Sequence, residues 1–210
     1  MHNSQQLGKI ILARFLEMPL RSFEKFVRQV ESSPSFSDAL SYVQPSQLDH
    51  TEVISSSDIP PGLLGEIREQ GGKVKCFYYH HSFVRNYLFG EEWEGLPKDQ
   101  LSVLGRLRLI NTRNRLTHAL MQALLIAQAE YLRSGNRLSL IPLTQSHISA
   151  KLISEANLPF VADPGRISRL VRNLSIRLPS GQASQISQLF PRPRHFHRHY
   201  VANVLGREKY

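Results

Sequence analysis

The chain is 210 residues long and carries 26 Lys+Arg against 17 Asp+Glu, a formal charge of +9 with a pI near 10. That length holds one large domain or two small ones, and a 41% apolar fraction is enough for a buried core. One cysteine cannot form an internal disulfide, and neither a tripartite leader nor a long uninterrupted apolar run is present, so a reducing, cytoplasmic setting without a membrane partner is expected.

Leu7, Ile10, Ile11, Phe15 and Met18 recur at helical spacing, and Pro19 interrupts that stripe while suiting the first turn of a second helix. Phe23, Phe26, Val27 and Val30 continue the period up to Pro34, and a short third helix is expected around Phe36, Ala39, Leu40 and Val43. Residues 1–43 therefore read as two or three short amphipathic helices, either core elements of a larger unit or, with few partners around them, an exposed apolar face on which Phe15, Leu16, Met18, Phe23, Phe26 and Val27 would meet a partner. Residues 44–60, rich in Ser, Pro, Asp and Gln and without a period, read as a linker. Pro60-Pro61 opens a short segment with Leu63, Leu64 and Ile67 that Gly71-Gly72 stops. Lys73 to Cys76 alternate as a strand does; beyond them the aromatic-rich run to Phe89 fits strand and helix alike. Pro97-Lys98-Asp99 starts a helix through Leu101, Leu104 and Leu107, which closes a region spanning 61–110.

The strongest periodic signal covers 111–135. Asn111 or Thr112 can cap it, a wide apolar face runs from Leu116 to Tyr131, and Ser134-Gly135 stops it. A capped segment from Thr144 to Leu152 follows, then a connection from Ile153 to Ala162 that is longer than a simple helix-turn-helix uses. Asp163-Pro164 is a helix start, with Asp as the cap and Pro at the first position. In the helix from Gly165 to about Asn173, Ile167, Leu170 and Val171 point inward while Arg166, Arg169 and Arg172 recur on the other side. Leu174–Leu178 and Gln182–Leu189 then flank the turn Pro179-Ser180-Gly181 as a hairpin. The expected fold is mainly α: a helical N-terminal region, and a winged helix-turn-helix-like C-terminal domain over 111–190, with a basic tail at 191–210.

The charge is unevenly placed. Residues 1–100 hold ten Lys+Arg and thirteen Asp+Glu, a net of −3, whereas 101–210 hold sixteen and four, a net of +12 with only Lys151 and Lys209 as lysines. An arginine-dominated half points to a polyanion, because the planar guanidinium matches phosphate and guanine in a bidentate way. Arg166 and Arg169 are placed to reach base edges in a major groove, Ser168 to reach a base or phosphate, and Arg172, Asn173 and Arg177 to flank them. If about four arginines neutralise phosphates, log K falls with log salt at a slope of roughly −3 to −4.

The other clusters read as structure. His195, His197 and His199 lack a local carboxylate or thiol and sit among arginines, and His80-His81 with Cys76 is weaker still, so no metal is expected. Phe77, Tyr78, Tyr79, Phe83, Tyr87, Phe89 and Trp93 fit a core better than a base-stacking platform. No Walker loop, G-x-G-x-x-G, G-x-S-x-G or H-E-x-x-H occurs, so neither an enzyme nor a cofactor is expected.

The run from Arg115 through Thr117 to Gln128, Tyr131, Leu132 and Gly135, followed by Pro142-Leu143 and Ile148–Leu152, resembles the RpoN-type, enhancer-dependent sigma factors of bacterial RNA polymerase, the sigma-54 class. Gly165-Arg166-Ile167-Ser168-Arg169 is similar to that family's S-T-V-S-R recognition helix, and Leu178-Pro179-Ser180-Gly181 to its T-P-x-G turn. Phe15-Leu16-Glu17-Met18, the Phe23–Val30 stripe and Ser33-Pro34 resemble its activator-responsive region. The resemblance, to a shortened or divergent member, implies a transcription factor that binds double-stranded promoter DNA, core RNA polymerase and an ATP-dependent activator. The residues by themselves also admit a protein-interaction module that occupies polymerase without reading DNA, and an unrelated dimeric winged-helix repressor.

Overall fold

A computed structural model describes residues 2–48, 51–54, 62–79, 85–90, 93–144, 147–148 and 164–191. Three helices open the chain: α1 (His2–Glu17), α2 (Leu20–Glu31) and α3 (Phe36–Leu40). Strands β1 (Val43–Gln47), β2 (Glu52–Val53), β3 (Leu63–Gln70), β4 (Lys73–Tyr78) and β5 (Arg85–Phe89) follow. Then come the long helix α4 (Lys98–Ala127), the short α5 (Ala129–Ser134), helix α6 (Pro164–Arg172) and strands β6 (Ser175–Arg177) and β7 (Ala183–Gln185). Among the described residues no helix is long and apolar enough to cross a membrane.

The architecture is mixed α/β, which corrects the mainly α expectation. A five-stranded sheet runs β2-β4-β3-β6-β7, and β1 and β5 form a separate antiparallel pair. The hairpin read at 174–189 exists as β6 and β7, but it is no free wing. β6 pairs parallel with β3, so the hairpin extends a sheet begun by residues 52–78. Two physical reasons explain the mismatch. Leu63, Leu64 and Ile67 satisfy a helical period as well as a strand's, and a short apolar run does not separate the two. Gly71 and Gly72 both have positive φ, 59° and 72°, and join Gln70 to Lys73 as a two-residue hairpin turn, where the sequence suggested a stop. Gly65 fits the same pairing: a Cβ there would clash with the Phe77 carbonyl oxygen. The stretch read as a linker contributes β1 and β2.

α4 is the centre of the fold. It runs through Asn111 and Thr112, the residues read as a cap, because neither proline nor a glycine turn interrupts it there. The Thr112 hydroxyl donates to the Arg108 carbonyl inside the helix (2.8 Å). The Asn111 amide leaves the helix for β5: Tyr87 N–H donates to Oδ1 (3.0 Å) and Nδ2 donates to Tyr87 O (2.6 Å). Tyr87 lies opposite Pro45 of β1 with its N–H and C=O turned to the other edge of β5, where no described strand pairs, and the helix supplies their partners. Asn114 Nδ2 seals the same edge at Arg85 O (3.1 Å).

Arg113, between these amides, is 1% exposed. It donates from Nη1 to Phe15 O (2.7 Å) and from Nη2 to Met18 O (2.8 Å), and its guanidinium lies 4.4 Å from the Phe23 ring centroid. Burial pushes it down to about 9, so it remains charged at neutral pH and meets the carbonyl end of α1, where a helix dipole favours a cation. One hydrophobic core then runs from Phe15 through α4 to Phe190. Buried Gln128, at the break between α4 and α5, donates to Ile141 O (2.8 Å) and Leu189 O (3.1 Å) and accepts from Ile141 N–H (2.9 Å).

Candidate nucleic-acid interface

α6 forms because Ile167, Leu170 and Val171 make one apolar stripe, and all three are buried. Arg172 and Gly165 are exposed, and Arg166, Ser168, Arg169 and Asn173 are half-buried. The cap expected of Asp163 lies outside the described residues, as does most of the preceding helix expected at 144–152. At nine residues the helix is about 13 Å long, and a helix diameter of about 10–12 Å fits a major groove about 12 Å wide.

The six nominated residues fall in two groups, five on or just after α6 and Arg177 in β6. α6 packs beside α1, where Arg169 Nε meets Glu17 Oε1 at 2.8 Å and Asn173 Nδ2 donates to the Glu17 carbonyl at 2.7 Å. Arg177 belongs instead to the sheet, in register with Glu66 of β3. Burial alone would raise the Glu66 carboxyl. The Tyr79 hydroxyl (2.8 Å), the Arg68 guanidinium and the charge of Arg177 outweigh it and hold the carboxyl below its usual range. Tyr79 responds oppositely, pushed up to about 12 by burial and by its bond to Glu66.

The six apolar side chains expected to face a partner turn inward. Phe15, Leu16, Phe23 and Val27 are core residues, and Met18 and Phe26 pack against that core half-buried. They hold α1 and α2 on α4, and among the described side chains of α1 the exposed large apolar ones are Ile10 and Ile11 instead. The aromatic run divides: Tyr78 and Tyr87 are core, whereas Phe89 and Trp93 stack together with Arg108, whose guanidinium is 3.8 Å from the Trp93 ring centroid. His80, His81, Phe83, His195, His197 and His199 lie outside the described residues. Among the described residues no three His, Cys, Asp or Glu side chains are grouped to hold a metal ion.

Sequence reasoning missed Glu17 and Glu66, the acids that meet two of the six nominated residues. Glu17 gives one signal: an acid in the last turn of a helix opposes the helix dipole, which hints at a cation elsewhere that holds it. No protein-family model matches the chain, and no curated protein matches it.

Proposed function

We propose that this chain binds double-stranded DNA through α6 and the β6–β7 hairpin and acts as a transcription factor. The observation that carries this reading is the set of Arg166, Ser168, Arg169 and Arg172 lying off the buried stripe of a short helix, in the strongly basic half of the chain. In this reading Arg166 and Arg169 contact base edges, Ser168 a base or phosphate, and Arg172 and Arg177 the flanking phosphates. Asn173 is a scaffold residue, its amide committed to α1. Core RNA polymerase is the protein partner to try first, on the strength of the sequence resemblance, with a pull-down as the assay.

The test is a fluorescence anisotropy titration of labelled duplex at several salt concentrations. Affinity falls steeply with salt if arginines displace counterions, and an isotherm flat in salt refutes the proposal. Arg169→Ala costs about 1–3 kcal/mol at one base-pair position if it reads a guanine, and weakens all sequences equally if it contacts phosphate.

A further inference from the structure

Three contacts close a triangle between α1 and α6. Glu17 Oε1 meets Arg169 Nε at 2.8 Å, Asn173 Nδ2 donates to Glu17 O at 2.7 Å, and the same Nδ2 reaches Arg169 O at 3.4 Å. Glu17 is itself fixed by its neighbours. Leu16 is fully buried, and Arg113 holds the carbonyls of Phe15 and Met18 on either side. An acid from the far end of the sequence is thus held against one of the two arginines proposed to read bases.

The contact uses Nε, one of five donors on the guanidinium. Guanine O6 and N7 accept from the outer fork of an arginine, and a side chain already held by a second partner loses less freedom on docking. The Arg169 and Glu17 side chains are 37% and 52% exposed, so their pairing adds little to folding stability. We infer that Glu17 is a positioning residue that aims the Arg169 fork at a guanine in the major groove. This rests on the DNA-binding reading above and deepens it.

The experiment uses the full chain. A preferred duplex is selected from a randomised pool, and Arg169→Ala then identifies the base pair at which discrimination is lost. Glu17→Ala is expected to lower discrimination at that same base pair by about 2–10-fold, the range that ordering one long side chain spans. Affinity for an unrelated duplex stays constant or rises slightly, because a negative charge near phosphate has gone. Glu17→Gln retains an oxygen that accepts from Nε and recovers part of the discrimination. In the Arg169→Ala background Glu17→Ala changes discrimination no further, and the melting temperature of each Glu17 variant stays close to wild type. The inference is overturned if Glu17→Ala shifts preferred and altered duplexes by one common factor, or if its effect persists without Arg169. If the wild-type chain selects no duplex, the DNA-binding reading falls first and the inference with it, before any Glu17 variant is compared.

Discussion

Replacing Arg113 with methionine removes a buried cation and its bonds to two carbonyls of the α1 terminus. Phe15 O and Met18 O each lose a bond of 2.7–2.8 Å from a charged donor, the first in the buried interior, where only the Met18 N–H at 3.3 Å remains to Phe15 O, and the second at a part-buried position. A hydrogen bond from a charged group is worth about 1.5–3 kcal/mol, so the two together are worth about 3–6 kcal/mol. Part of that returns, because Arg113 is itself charged and almost fully buried, and its removal ends that desolvation penalty. The net loss expected for Arg113→Met is about 2–4 kcal/mol, against about 5–15 kcal/mol for a whole domain. Arg113→Ala also empties the space beside Phe23 and costs about 1–2 kcal/mol more. The assay is urea unfolding at neutral pH followed by circular dichroism, with the m-value checked for constancy. Buried ionic groups elsewhere have been replaced by apolar ones without loss. An Arg113→Met variant as stable as wild type would therefore refute the idea that this arginine holds α1 to α4.

Three further outcomes are expected. Asn111→Ala strips both partners from Tyr87, costs about 2–4 kcal/mol and exposes the Tyr87 amide to hydrogen exchange well before the neighbouring helix opens. Burial pushes the Cys76 thiol up to about 12, so a disulfide reagent at pH 8 leaves the native chain unmodified and reacts once urea is added; prompt native reaction contradicts the placement. The Glu66 carboxyl titrates lower in the folded chain than its ordinary 4.5, so its contribution is present above that value and fades as pH falls through the folded value. Stability profiles of wild type and Glu66→Gln should then differ by a constant amount above about pH 5 and converge below it. Parallel profiles down to pH 2 would sink that assignment.

What was legible in the sequence depended on how local the cause was. α6 and its buried stripe were legible because cap, period and arginine spacing all lie within a dozen residues. The turn at 179–181 was legible for the same reason. The five-stranded sheet was not, because β3 finds its β6 partner from the other end of the chain, and no local pattern records that pairing. Asn111 shows the same limit in one residue. As a cap-forming type it signals a helix start, yet its amide is spent on a strand that contains Pro45's opposite number, Tyr87. Arg113 gives no warning at all: a lone arginine in a helix reads as exposed until the carbonyl end of α1 is brought against it.

The unequal halves of the chain, −3 and +12, share one core in the folded molecule, and this changes the expected salt dependence. Acids of the first half meet cations of the second: Glu17 faces Arg169, and Glu66 lies in register with Arg177. Four arginines on phosphates would give a slope of about −3.6, at about 0.9 per phosphate. Glu17 and Glu66 already oppose two of the four, Arg169 and Arg177, and each arginine so opposed makes the slope shallower by up to about 0.9. Glu66→Gln releases Arg177 and should steepen it by up to about 0.9, whereas Glu17→Ala should leave it unchanged if Arg169 reads a base. A wild-type slope near −4 would show that neither acid restrains its arginine. An equal steepening by both substitutions would make Arg169 a phosphate contact, and base selection would then have to come from Arg166.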